Sequence, residues 1–304
     1  MPSPMPPLFD DRQLRRARSR AAAGHDAAAA LPREIGARLL ESLAYLDERV
    51  PGVALDVGSG TGHIADALRK RWPKTRVIAL DASRPMLDQG RHRAGWLRPL
   101  LGRDVDRLQA DPRALPLADA SVDVLVAHLS LPWVDQLPGV FAGFRRVLKP
   151  DGLLLCSAFG PETLIELHQA FADDTLPHVH PFAPIAHLGD ALMAAGFRDP
   201  VLDRDAFTFA YPDLSALLRE LRALGMTNAL TSRRRSLTGK GRLAAAQAAC
   251  ETLRRPDGRL PVTWEALYAH AWAPAPGAPI REDGHDVVAV PISAIPIRRR
   301  VPKD

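Results

Sequence analysis

The stretch ALDVGSGTG, residues 54–62, decides the fold. A short β-branched run leads into it and an amphipathic stretch follows, so these nine residues turn a strand into a helix. Gly58, Gly60 and Gly62 alternate through the turn, and glycines there let backbone approach a ligand closely. The spacing is G-x-G-x-G, whereas the turn that seats a dinucleotide pyrophosphate on a helix N-terminus is G-x-G-x-x-G. A dinucleotide is therefore disfavoured. Asp56, at the strand end, offers a carboxylate suited to the cationic end of a bound amino acid.

Outward from this turn, short apolar runs alternate with helical spacing. Strands are expected at 53–57, 76–80, 107–110, 122–128 and 153–157, with helices at 62–71, 85–94 and 139–148. Such alternation builds an α/β fold with a parallel sheet and places ligands at the carboxyl ends of its strands. Asp81 closes the second strand, where a nucleotide fold sets an acid on ribose hydroxyls. Asp111, in LQADPRALPL after the third strand, offers an acceptor to an exocyclic adenine amine. His128 ends the fourth strand, as a base or as a polar wall.

Upstream, residues 1–7 carry four prolines and read as a disordered lead-in, followed by helices at 8–30 and 33–46. Downstream, the pattern gives helices at 162–171 and 185–195, a strand at 201–209, helices at 214–224 and 242–253, and a last strand at 263–272. The loop NALTSRRRSLTGKGR, 228–242, is basic and rich in turn formers. Beyond Trp272 a Pro- and Gly-rich segment and a basic tail read as extended or disordered.

With 46% hydrophobic and 25% charged residues among 304, the composition is that of an ordinary globular chain. No apolar run is long enough to cross a bilayer and no apolar signal core precedes the fold, so a cytoplasmic location is expected. Cys156 and Cys250 read as buried, inert thiols, with no metal-ligand spacing. The net charge of +5 is modest, but basic residues gather at 12–20, 233–242 and 298–300, fit for an acidic partner, a nucleic acid or solvated surface. They are not interleaved with aromatics, which argues against nucleic acid.

The glycine turn with Asp81 and Asp111 at successive strand ends resembles the class I S-adenosylmethionine methyltransferases. The resemblance implies a Rossmann-like seven-stranded sheet with an antiparallel final strand, N-terminal lid helices and a helical cap insertion before the last strands. It implies S-adenosylmethionine as cofactor, S-adenosylhomocysteine as product, and a site made of Asp56, Gly58, Ser59, Gly60, Asp81, Ala82, Met86, Asp111, Pro112 and His128. The chain then divides into a lid at 1–30, a cofactor-binding core at 31–212, a basic cap at 213–260, and a last strand with a tail at 261–304.

A narrower resemblance runs from about Leu8 to Trp272. FDDRQLRRARSRAAAGHD (9–26), LSLPWVDQLP (129–138), SAFGPETLIELHQAF (157–171), PHVHPF (177–182), LRALGMTN (221–228), SRRRSLTGKGR (232–242) and DGRLPVTWEALYAHAW (257–272) are similar to the malonyl-[acyl-carrier protein] O-methyltransferases of biotin synthesis. This implies methylation of the free carboxyl of malonyl carried on an acyl carrier protein, with no membrane or nucleic-acid partner. Arg233, Arg234, Arg235, Lys240 and Arg242 would dock the acidic carrier, and His25, His128 and Trp133 are positioning candidates. An ionised carboxylate needs no base, so no acid–base pair is required. The chain departs from the family at His25, where members carry Tyr, at Pro132, where they carry Gln, and at Ser59, where Cys is common. Two alternatives remain: another carboxyl or small-molecule O-methyltransferase, and a cofactor-binding assembly factor that transfers no methyl.

Overall fold

The computed structural model describes residues 7–46, 48–94, 104–131, 137–275, 280–282 and 285–287. The chain begins with α1 (Asp11–Ala21), α2 (His25–Ala28) and α3 (Ala30–Glu41), the last continuing into a 3-10 turn at Ser42–Leu46. Asp10 caps α1 by accepting from the Gln13 amide at 3.0 Å, and Asp11 in the first turn with Arg18 and Arg20 in the last suits the helix dipole. The single helix expected at 8–30 is thus broken, with Gly24 ahead of α2. The break lets the segment bend across the strand ends.

The alternating core follows: β1 (Val53–Val57), α4 (His63–Arg71), β2 (Arg76–Asp81), α5 (Arg84–Ala94), β3 (Asp106–Gln109), β4 (Val122–His128), α6 (Leu137–Val147) and β5 (Leu148–Phe159). Then come α7 (Ile165–Ala170), α8 (Ile185–Ala194), β6 (Arg198–Tyr211), α9 (Leu214–Ala223), α10 (Lys240–Glu251) and β7 (Leu260–Trp272). The seven-stranded sheet has the order β3-β2-β1-β4-β5-β7-β6. Strands β1 to β5 pair in parallel, and β7 runs antiparallel to both β5 and β6. β1 lies between β2 and β4, so strand order reverses beside it, the place where such sheets open a ligand crevice.

One face of the sheet is covered by α6 and α8 through Phe141, Phe144, Leu188 and Leu192. The other is covered by α3 and α4 through Leu39, Leu43, Leu68 and Trp72. A third core, around Trp264, Phe159, Leu217, Leu221 and Cys250, roots the cap to β7. Both cysteines are free and buried. No described helix is long and apolar enough to cross a membrane.

Several boundaries differ from expectation. β6 and β7 pair from Arg198↔Trp272 to Tyr211↔Leu260, well past the strands expected at 201–209 and 263–272. Asp203, Arg204 and Asp205 weaken the strand signal, yet β6 is an edge strand whose outward polar residues meet water. The helix expected at 162–171 starts only at Ile165, because Thr163 Oγ1 donates to the Glu265 carbonyl at 3.1 Å and Leu164 takes a left-handed φ of 60°. Past Trp272, β8 (Ile280–Glu282) and β9 (His285–Val287) form an antiparallel pair where an extended or disordered end was expected. The sequence between them is Asp-Gly, the dipeptide that two-residue hairpins favour.

Candidate active site

The glycine turn leaves β1 with Gly58, Gly60 and Gly62 all at positive φ. A Cβ on Gly58 would collide with the Ser130 side chain, whereas one on Gly60 would meet nothing within 4 Å. Gly58 is therefore required by the protein's own packing, and Gly60 faces the open crevice. The Gly58 and Ser59 amides both donate to the Leu80 carbonyl, at 2.7 and 3.0 Å, which ties the turn to β2.

The crevice is a hollow in two halves, joined where Arg18 and Gly58 line both. The first half takes Asp56, Gly58, Ser59, Gly60, His25 and His128 from the expected residues, closed by Phe159 and by Leu224 and Met226 of the cap. The second takes Asp81, Ala82, Asp111 and Pro112. Cavity volumes are about 80 and 110 Å³, small against the several hundred Å³ of most ligand pockets. The lid therefore lies close upon the strand ends.

Asp56 is 1% exposed. Its Oδ2 accepts from the Ala65 amide of α4 at 3.0 Å, while Oδ1 is buried with no partner. Burial pushes its carboxyl up to about 8, outweighing the Ala65 hydrogen bond. A carboxylate so placed calls for a cation, and the ammonium of an amino-acid ligand supplies one. Asp81 accepts from the Gly60 amide at 2.8 Å and the Ser83 amide at 2.7 Å, which holds it at the head of β2 facing the second half. Asp111 is gripped by Arg113, whose Nη2 sits 2.7 Å from Oδ2 and also 2.8 Å from Asp11 of α1. That hydrogen bond holds the Asp111 carboxyl below its ordinary range. Both Asp111 oxygens thus already have a donor, and an adenine amine would share them.

His128 is a wall rather than a strong base. Its Nδ1 lies 2.8 Å from Ser157 Oγ, and burial pushes its pKa down to about 4, so the ring is neutral near pH 7. Beside it Leu129 adopts a φ of 48°, a strained position of the kind that clusters at working sites. His25 lies in the same half, its pKa lowered first by burial and then by the Arg18 charge. Met86 does not serve the hollow directly: it is fully buried against Ala21 and Ala22, where it seats the lid. Trp133 and Pro132 lie outside the described residues.

Three contributors were not singled out in the sequence. Asp26, next to His25, accepts from Thr61 Oγ1 at 2.6 Å and from Arg93 at 3.2 Å. Arg93 also donates to the Thr61 carbonyl at 2.8 Å, so lid, glycine loop and α5 form one clasp. Arg18 reads in the sequence only as one of a basic run, yet it is the side chain at the junction of the two halves. Nothing local distinguishes these residues, because each acts across more than thirty positions of chain.

Of the five basic cap residues, Arg233 binds Asp10 at 2.8 Å and Arg234 binds Asp174 at 2.7 Å. Arg242 lies 3.4 Å from the same Asp174. Arg235, Lys240 and Arg242 are exposed. Part of the basic run therefore fastens the cap, and the rest faces solvent.

The methyltransferase domain family matches residues 55–156. Among solved structures, the YcgJ protein from Bacillus subtilis superposes with a TM-score of 0.56 at 15% identity, over 79% of this chain and 99% of that one, a likeness of fold. Sheet order, glycine turn and acid-tipped strands together define a class I S-adenosylmethionine-dependent methyltransferase. The chain is 56% identical to a malonyl-[acyl-carrier protein] O-methyltransferase from Xylella fastidiosa, across 96% of this chain and 98% of that protein. It is 41% identical to one from Gallionella capsiferriformans, across 92% and 96%. The chain belongs to the malonyl-[acyl-carrier protein] O-methyltransferase family.

Proposed function

We infer that this chain methylates the free carboxylate of a malonyl thioester carried on an acyl carrier protein, in the cytoplasm. The observation that carries the reading is that the likeness to these relatives includes the cap and not only the cofactor core. The core is shared by enzymes of many acceptors, and fold alone does not choose chemistry.

When bound, S-adenosylmethionine supplies an electrophilic methyl carbon, to which a carboxylate oxygen bonds as the pair of the breaking C–S bond returns to sulfur. The chain's own residues bind and orient. Asp56, whose Oδ1 is buried without a partner, would hold the ammonium of the donor's amino-acid part. Gly58, Ser59 and Gly60 would let backbone close on the donor, Asp81 would receive the ribose hydroxyls, and Ala82, Asp111 and Pro112 would border the adenine. No proton leaves an ionised carboxylate, so neutral His128 is a wall that, with Leu129 and Phe159, keeps water from the transfer.

The test is transfer of labelled methyl from S-adenosylmethionine to malonyl-carrier protein, with S-adenosylhomocysteine measured in parallel. Stoichiometric label and product are expected. Product formed only with malonic acid or another small carboxylate, or none with any acceptor, rejects this acceptor.

A further inference from the structure

Beyond the crevice the cap encloses a larger space of about 410 Å³ between α7, α9 and α10. Its inner end is Met226, which also lines the cofactor hollow. Its outer end is Leu237 and Thr238, and Leu237 is 93% exposed. The space therefore abuts the crevice at Met226 and reaches the surface of the cap at Leu237.

The walls are mainly apolar, with Leu167, Phe171, Leu218 and Leu243 among them. Thr227 lies on the wall, and its Oγ1 is buried without a partner. Such a hydroxyl is costly unless a ligand or water meets it. At the rim, Asp174 accepts from His178 at 2.9 Å and from Arg234, with Arg242 beside it. Arg222 lines the cavity, and the exposed Arg235 and Lys240 flank Leu237 and Thr238 in the chain. These five cations, Arg222, Arg234, Arg235, Lys240 and Arg242, outnumber the local acids Asp173 and Asp174, so the mouth is positive.

We propose that this cavity is the port through which the phosphopantetheine arm of the carrier protein reaches the crevice. The proposal rests on the carrier-bound acceptor inferred above. An arm of that class has a phosphate at one end, an apolar gem-dimethyl and two amides along its length, and the acyl thioester at the other. The phosphate meets the positive mouth, an amide meets Thr227 Oγ1, and the acyl end passes Met226 into the hollow. A second space, of about 460 Å³, borders the crevice at Phe159 and runs beneath α8. Its charged or titratable lining is His187 and Asp190, so an acidic carrier and a phosphate would meet a carboxylate there.

The test uses the full chain and a carrier protein whose arm ends in a bromoacetyl group, which alkylates a thiol with loss of bromide. Cys156 and Cys250 are buried, so the native chain sets a low background. Thr227→Cys is expected to be alkylated at least tenfold faster than the native chain, and faster at low salt than at high. Alkylation of Ala183→Cys, on the second space, in preference to Thr227→Cys overturns the proposal, and so does labelling of Thr227→Cys at the background rate. Independently, Leu243→Trp, which fills the cavity, is expected to raise the KM for malonyl-carrier protein at least tenfold with cofactor affinity within twofold of native. An unchanged KM overturns the route. The native chain's methyl transfer to malonyl-carrier protein is assayed alongside: transfer without Thr227→Cys labelling rejects the port alone, while no transfer rejects the acceptor.

Discussion

The crevice and the cap hold their charges in opposite ways. In the crevice, Asp56 is buried with one oxygen unpartnered, and a glycine stands where any side chain would obstruct. In the cap, the half-buried acid Asp174 has three basic neighbours, and its carboxyl is pulled down to about 2, first by the His178 hydrogen bond. The crevice leaves a demand for a ligand to meet; the cap meets its own demand and displays the surplus cations outside. The first arrangement suits a small cationic donor held by few groups, the second a large acidic partner steered from a distance.

The sharpest way to break this comparison is inside the glycine turn. Gly58→Ala forces a methyl into Ser130 at a φ of 69°, and strain plus overpacking should destabilise the fold by roughly 2–5 kcal/mol. Gly60→Ala, at a φ of 54° with open space around it, should cost only about 1–2 kcal/mol of stability. It should still weaken cofactor binding at least a hundredfold, since its methyl points where the donor must lie. Thermal melts and calorimetry on both variants separate the two roles. Equal stability losses, or full affinity in Gly60→Ala, would show that the turn serves packing alone.

That contrast also marks how far the sequence could be read. The sheet core was legible because each βα unit is local: glycine turn, strand-end acids and helix period lie within a few residues of one another. The acids at 56, 81 and 111 reach one crevice because parallel strands share an end, a rule of topology rather than of any one segment. The lid clasp of Asp26, Thr61 and Arg93, the junction position of Arg18, and the division of the basic run into fasteners and free cations were not legible. Each depends on side chains far apart in sequence, and no periodicity records them. β6 and β7 run longer than their local patterns suggest for a related reason: pairing between residues far apart in the chain, from Arg198↔Trp272 to Tyr211↔Leu260, overrides weak local signals.

Next in size is a proton. Asp56 is held protonated up to about pH 8, and an ammonium at Oδ1 favours the charged form. Donor binding below pH 8 should therefore release a proton, with affinity rising as pH increases, by up to about tenfold per unit, and levelling above about 8. For the protein without donor the sign is opposite. The folded pKa exceeds the ordinary one, so stability falls as pH climbs from the usual carboxylate range towards about 8. Calorimetry in buffers of different ionisation enthalpy reads the proton directly. No buffer dependence at pH 7, or the same dependence in Asp56→Asn, removes Asp56 from the donor site.

The cap side is sharpened by Arg235→Gln with Lys240→Gln, which spares the ion pairs of Arg233 and Arg234. With malonyl-carrier protein, KM should rise about fivefold at low salt and lose most of its salt dependence, with kcat held, as for exposed steering charges. Donor affinity should not move. A change in kcat without one in KM would mean that the run serves the chemistry instead of the docking.

The smallest effect lies where the two regions touch. Arg18 stands at the junction of the two halves of the hollow, with its Cδ against Gly225 of the cap and its charge felt by both Asp81 and His25. A donor with its amino-acid end at Asp56 and its ribose at Asp81 would set its sulfur at that junction. A guanidinium there would oppose a sulfonium and be indifferent to a thioether, which would bias the site towards product over donor. Arg18→Gln should shift the ratio of S-adenosylmethionine to S-adenosylhomocysteine affinity towards the donor by roughly threefold, the scale of a partly screened charge pair. Because Asp81 neutralises part of that charge, the shift should grow in an Asp81→Asn background. An unchanged ratio in both backgrounds would place the Arg18 charge away from the sulfur and leave it a structural link between lid and cap.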